Sequence, residues 1–197
     1  MKRLIDFTVS LVVLLVLLPL ILCVSLLILL KNGSPILFFQ IRPGINEKPF
    51  ALIKFRTMDN KFSYENNLLD DSQRLTLLGI WLRKTSIDEI PTLLNVLKGD
   101  MSLVGPRPLL LEYLPLYNNE QRKRHEVLPG ITGWAQVNGR NNISWDRKLD
   151  LDIWYINNKS IFLDIKIIFI TIKKVLQRDG ISALGEATVK KFTGSKR

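Results

Sequence analysis

The sequence predicts a helix-rich α+β fold. A proline-broken hydrophobic helix dips into a membrane, and a cytoplasmic domain follows with a β-hairpin and amphipathic helices at the lipid interface. Three observations predict it. Residues 7–30, FTVSLVVLLVLLPLILCVSLLILL, carry no charge. Two strand-like runs flank a Pro-Gly turn at 43–44, and the segments beyond show helical spacing of apolar residues.

The N-terminal run is apolar all round, unlike the one-sided stripe of a surface helix, and is long enough for a ~30 Å hydrocarbon core. It is too long for a signal-peptide core, and LLKNGSP lacks a small-x-small cleavage site. Pro19, near its middle, removes a helical hydrogen bond and favours a break. Lys2 and Arg3 precede the run and Lys31 follows it. Basic flanks stay cytoplasmic, so a re-entrant path satisfies both ends, with a kinked span as the alternative. The expected division is a membrane-embedded segment at 1–31 and a cytoplasmic domain at 32–197.

SPILFFQIRPGINEKPFALIKFRTM reads as strands at 35–42 and 49–57 around Pro43, Gly44 and Asn46. In the second, Phe50, Leu52, Lys54 and Arg56 alternate onto one face, which places two cations at the strand end. Residues 59–74 read as a polar loop, and 73–84 as a helix. Residues 89–99 put Ile90, Leu93, Leu94 and Leu97 on one helical face with Gly99 as the stop. PLLLEYLPLYNNEQRKRHEVL reads as helix interrupted by Pro115. DIKIIFITIKKVLQRDG is apolar with lysines on one side, which suits an interfacial helix on anionic lipid.

With 28 Lys+Arg against 18 Asp+Glu the net charge is +10, which points to an anionic partner. One cysteine, Cys23, and one histidine, His125, exclude an internal disulfide, a structural zinc site and a Cys–His nucleophile pair. Carboxylates, Lys/Arg and hydroxyls remain for chemistry. Three segments offer cations beside turns for a phosphate: KFRT at 54–57, GPRPL at 105–109 with Arg107 between prolines, and PGITGWAQVNGRN at 129–141 with Arg140. Neither a P-loop nor a dinucleotide fingerprint is present. DLD at 150–152 mimics the metal motif of nucleotide-sugar glycosyltransferases, but no apolar strand precedes it.

Asp88 and Glu89, in TSIDEIP, are the pair of interest. Capping is the simplest account. Ser86 and Glu89 fit a capping box, and Asp88 could itself be an N-cap with Pro91 in the first turn. The same position serves chemistry, because a helix N-terminus favours both a carboxylate and a phosphate. Arg83, Lys84, Lys98 and Arg107 lie close in sequence and could neutralise an anionic substrate. An aspartate can then attack phosphorus while its neighbour holds Mg²⁺ or acts as base.

KFRTM, LRKTSIDEIPTLLNVLKGDMSLVGPRPLL, PGITGWAQVNGRN and LDIWYINNKSIFLDIKII resemble the signature blocks of the bacterial sugar transferase family, the small monotopic polyprenyl-phosphate phosphoglycosyl transferases. With the N-terminal segment the resemblance covers nearly the whole chain. It implies transfer of a phospho-sugar from a UDP-sugar to undecaprenyl phosphate, release of UMP, and a covalent intermediate in a ping-pong reaction. It implies Mg²⁺ held at Asp88 and Glu89, with Asp88 the nucleophile and Glu89 its partner. Lys54, Arg56, Arg83, Arg107 and Arg140 match phosphate- or nucleotide-binding positions. Asp164 matches an acidic position without an assigned role.

The resemblance further implies a bacterial inner-membrane protein on the cytoplasmic face, initiating glycan assembly and supplying downstream glycosyltransferases. The family's helix break carries Ser-Pro, where this chain has Leu18-Pro19, and Thr92 replaces an expected Gln. The tail GISALGEATVKKFTG is similar to relatives using N-acetylated amino sugars such as UDP-N,N′-diacetylbacillosamine. Two rivals are a metal-dependent glycosyltransferase using Asp150 and Asp152, and a membrane-tethered nucleic-acid-binding protein. The second is disfavoured, since the aromatics lie in apolar patterns, and no nucleic-acid partner is expected.

Overall fold

Two helices, α1 (Lys2–Val16) and α2 (Leu18–Asn32), meet at 63° across Leu17. Pro19 lies in the first turn of α2, where its missing N–H forfeits no bond within that helix. It cannot receive a helix running through from Leu15, so the break falls at Leu17. This computed structural model describes residues 1–59, 70–139, 143–177 and 191–195. Among them no single helix is long and apolar enough to cross a membrane, and only the bent pair together meets that test.

Both ends of the pair are fastened to the same body. At the start of α1, Lys2 Nζ donates to Asp164 at 2.5 Å and to the Val104 carbonyl at 3.2 Å. Arg3 donates to the carbonyls of Val96 and Leu97. Asp6, buried, accepts from the Ser102 hydroxyl at 2.8 Å. At the end of α2, Arg56 donates to the carbonyls of Asn32, Gly33 and Ser34. Those of Asn32 and Gly33 are carbonyls a helix terminus leaves without intrahelical partners, and that of Ser34 lies just beyond it.

The hairpin forms as expected. β1 (Leu37–Pro43) pairs antiparallel with β2 (Pro49–Phe55), from Leu37 opposite Phe55 to Pro43 opposite Pro49. Its turn uses left-handed residues Asn46 and Glu47, and Arg122 pairs with Glu47 at 2.9 Å. The expected helix at 73–84 is divided into α3 (Asp71–Arg74) and α4 (Leu77–Lys84). Thr76 interrupts it, with its hydroxyl capping α4 through Gly79 N at 2.9 Å.

The expected helix at 89–99 begins as a 3₁₀ turn, Ile87–Thr92, and continues as α5 (Leu93–Lys98) before Gly99 at φ 98°. A 3₁₀ turn advances about three residues per turn rather than about 3.6, which rotates the faces that follow. Asn95 and Val96 are therefore fully buried, and Leu94 is turned outward.

Beyond α5, β3 (Ser102–Val104) leads through a 3₁₀ segment Leu111–Leu116, which contains Pro115, to α6 (Asn119–Arg122). A second 3₁₀ segment, Lys123–His125, precedes β4 (Gly130–Thr132), which pairs parallel with β3. Then come α7 (Trp134–Val137), α8 (Trp145–Asn158) and α9 (Ile161–Gln177). Val104, Val137, Tyr155, Ile156 and Ile167 form the core between β3 and the last helices, while Leu52, Val96 and Met101 join the hairpin to α5. Apolar surface stays exposed among the described residues. α9 exposes Phe162, Ile165, Phe169, Ile172 and Leu176 as one stripe. A groove of about 640 Å³ runs between the bent helices and the hairpin, lined by Leu14, Leu18, Leu29, Phe39, Pro91 and Leu94, among others.

Candidate active site

The acid pair is placed by side chains that complete the hairpin's free edge. Asn95 accepts from Ile53 N at 3.0 Å and donates to the Ala51 carbonyl at 2.8 Å. The Thr92 hydroxyl donates to the Ile53 carbonyl at 2.8 Å. An edge strand needs partners for its polar groups, and these contacts dock the Ile87–Thr92 turn beside Lys54. Thr92 thus has a structural task at the position where Gln was expected.

Capping does not account for the pair. Ser86, the residue before the turn, is left-handed (φ 57°) and makes no side-chain cap bond. Asp88 lies inside the turn rather than at its cap, and α5 begins at Leu93 without a side-chain cap. Glu89 Oε1 instead accepts from Lys54 Nζ and Arg107 Nη2, both at 2.6 Å. Burial alone would push the Glu89 carboxyl up, but the Arg107 and Lys54 charges overcome it and hold it well below the ordinary range. Asp88 is 8% exposed and goes the other way. Burial and the adjacent Glu89 charge push its carboxyl up to about 6, against the pull of Lys54, Arg83 and Arg107. Two neighbouring carboxylates driven apart in this way are suited to different tasks.

Arg107 is delivered by the 105–108 loop. Gly105 N donates to the Thr132 carbonyl at 2.9 Å, and Gly130 N to the Pro106 carbonyl at 3.0 Å. The two loops meet backbone to backbone. A Cβ on Gly130 would lie 2.0 Å from Gly105 N, and one on Gly133 2.2 Å from Gly105 O, so side chains are excluded at both positions. Arg83 is brought in by an equally close approach, since a Cβ on Gly79 would lie 1.9 Å from the Thr57 carbonyl oxygen. Arg83 Nε donates to Thr57 Oγ1 at 3.1 Å.

Of the candidate residues, Asp88, Glu89, Lys54 and Arg107 come together directly, with Arg83 close enough to act on Asp88. Arg56 departs from the expectation. β2 ends at Phe55, so the strand alternation does not carry through to it, and Arg56 is buried on the carbonyls that end α2. Arg140 lies outside the described residues, as does the 178–190 part of the tail. Asp152 and Asp150 do not converge. Asp152 is buried on Arg124 at 2.8 Å while Asp150 is exposed, so the rival metal motif offers no paired donors. Asp164 accepts from Lys2 and from the Tyr155 hydroxyl at 2.7 Å, tying α1 to α9. Asn95, Thr57 and Arg124 were not legible as site supports, because their partners are distant in sequence.

No group of three or more His, Cys, Asp or Glu forms a metal cage among the described residues. Asp88 and the second oxygen of Glu89 nonetheless supply two carboxylate donors. Mg²⁺ commonly takes one or two from protein and completes its shell with water and substrate phosphates, so the donor set fits that ion.

A model of the family described as bacterial sugar transferase matches residues 1–178. The chain is 55% identical over 195 residues to "Uncharacterized sugar transferase EpsL" of Bacillus subtilis, covering 99% of this chain and 96% of that protein. It is 45% identical over 191 residues to "Undecaprenyl-phosphate glucose phosphotransferase" of Komagataeibacter xylinus, covering 88% of this chain and 35% of that protein. Over 188 residues it is 36% identical to "UDP-glucose:undecaprenyl-phosphate glucose-1-phosphate transferase" of Escherichia coli, covering 88% of this chain and 40% of that protein. The chain thus spans well under half the length of these last two. It belongs to the bacterial sugar transferase family.

Proposed function

We propose that the protein transfers a phospho-sugar from a UDP-sugar to undecaprenyl phosphate and releases UMP. The observation that carries this is the position of Asp88. A buried carboxylate with a raised pKa stands beside cation-held Glu89, and the same turn continues through Pro91 and Leu94 into the wall of the apolar groove. A phosphate held at the groove's mouth would reach Asp88 with its apolar chain in the groove.

An Asp88 oxygen attacks the β-phosphorus of the UDP-sugar. The bond from that phosphorus to the bridging oxygen breaks, and the electron pair leaves on UMP. A phosphate oxygen of undecaprenyl phosphate then attacks the same phosphorus and displaces the Asp88 carboxylate, which yields the lipid diphosphate-sugar. Arg107, Lys54 and Arg83 offset the anionic charge that would otherwise repel a carboxylate nucleophile. Glu89 anchors two of those cations. Mg²⁺, bound at Asp88 and Glu89, would supply further charge neutralisation on the diphosphate.

The bent helix pair fits a re-entrant path with both ends cytoplasmic, since both ends hold the same body through Lys2, Arg3, Asp6 and Arg56. The exposed stripe of α9 would lie on the same leaflet. Cysteine at position 5, next to these ties, should resist membrane-impermeant maleimide in intact cells. Strong labelling there would establish a span.

The reaction is tested by offering purified enzyme a panel of UDP-sugars with undecaprenyl phosphate and Mg²⁺. One or a few donors, N-acetylated amino sugars foremost, should give UMP in step with lipid diphosphate-sugar. Release of UDP instead would establish sugar transfer and defeat the proposal.

A further inference from the structure

We infer that Arg124, locked to Asp152, is a positioning residue that sets where the Arg107 side chain meets Glu89 and an incoming phosphate. The inference rests on reading Arg107 and Glu89 as substrate-facing groups. Arg124 Nη2 donates to the Arg107 carbonyl at 2.7 Å and to Asp152 Oδ2 at 2.8 Å, and Nε reaches the same carboxylate oxygen at 3.3 Å. Nη1 donates to the Tyr117 hydroxyl at 3.2 Å. Arg124 is 3% exposed and Asp152 4%.

Stability is a weak account of such a pair. Taking both charges out of water costs about as much as their attraction returns, and well-packed apolar replacements are often neutral or better. Geometry is the stronger account. Arg107 stands in a loop whose flanking groups, Gly105 N and the Pro106 carbonyl, are already tied to the β4 strand. The Arg107 carbonyl is held from the other side by the Arg124 fork, whose planar donors must satisfy two acceptors at once. Asp152 fixes that fork from α8, so the helix sets the orientation of the Arg107 peptide. At the far end of the same residue, Nη2 meets Glu89 at 2.6 Å. The groups that face Arg124 are Asp152, Tyr117 and its neighbour His125, whose ring lies 5.9 Å from that of Tyr117.

The test uses full-length enzyme in nanodiscs, with UMP as binding probe and the best donor of the panel as substrate. Arg124→Met with Asp152→Leu should keep Tm within a few degrees of wild type. It should raise the UMP Kd and the donor KM by roughly tenfold, the scale of a modest misplacement of a substrate-holding group. UMP Kd and donor KM should move together and by more than kcat does, the split expected when a phosphate contact is loosened. In an Arg107→Ala background the same pair of replacements should add nothing. Arg124→Lys keeps the charge without the fork and should act in the same direction, which covers a double variant that fails to fold. If Arg107→Ala weakens UMP while the pair variants match wild type in Kd and KM, the positioning role is overturned. If Arg107→Ala itself changes neither UMP binding nor turnover, the reading of the site fails and this inference goes with it.

Discussion

Asp88→Asn should cut turnover by roughly a thousandfold or more, because an amide cannot serve as the nucleophile in covalent transfer. The same variant should be at least as stable as wild type. Asp88 has a folded pKa raised to about 6 from an ordinary 3.8, so the folded state disfavours its ionised form. Its contribution to stability is complete at low pH and is lost as pH rises from the unfolded value through about 6. At neutral pH the charged carboxylate therefore costs on the order of 1–3 kcal/mol. The amide removes that cost and should raise Tm by a few degrees. Intact-mass spectrometry on enzyme mixed with Mg²⁺ and its UDP-sugar, without lipid, should show a sugar-phosphate adduct on wild type and none on Asp88→Asn. UMP release that strictly requires lipid, with no adduct trapped at short times, would rule out the nucleophile. A fall in Tm without loss of turnover would instead make Asp88 a structural residue.

This split between activity and stability mirrors what could be read from the chain alone. The hairpin was legible because its two runs and its Pro-Gly turn are local signals, and both strands form within a residue or two of the expected bounds, at 37–43 and 49–55. The acid pair was legible as a pair, but its surroundings were not. Glu89 meets Lys54 and Arg107 across 35 and 18 positions of chain, and no local pattern specifies such contacts. Ser86 and Glu89 offered a capping box that the left-handed Ser86 does not form, because Glu89 has two cations to satisfy.

Arg56 shows the opposite failure. Period-two alternation assigned it to the face of Lys54, yet the strand ends one residue earlier and the carbonyls closing α2 claim its guanidinium. Lys2 and Arg3 read as flanking charge for membrane orientation, and in the fold they make specific bonds to the domain as well. The apolar face read at Ile90, Leu93, Leu94 and Leu97 left Asn95 out. The 3₁₀ start turns it inward, where it pins β2. In each case burial and long-range partners decided a role that spacing alone left open.

Glu89→Gln should lower kcat by about a hundredfold or more, and it should move what activity remains toward lower pH. Gln keeps the shape of the side chain but loses the charge that holds Lys54 and Arg107 at 2.6 Å. The Gln carbonyl still accepts from Lys54 and Arg107 and keeps both beside Asp88, but they meet the diphosphate without an ionic partner, and the proposed carboxylate donor to Mg²⁺ disappears, so transition-state charge is met less well. The effect on Asp88 has the opposite sense. The negative charge of Glu89 is, after burial, the main force pushing the Asp88 carboxyl up, while Lys54, Arg83 and Arg107 pull it down. With Glu89 neutral, that repulsion disappears and the three cations remain, so Asp88 ionises at lower pH. Wild-type kcat/KM should rise with pH through about 6, and in Glu89→Gln the same limb should lie measurably lower. A pH–rate series on both proteins, with donor held well below KM, reads the two limbs directly. A variant whose limb stays at the wild-type position, or moves upward, would show that Glu89 does not set the ionisation of Asp88.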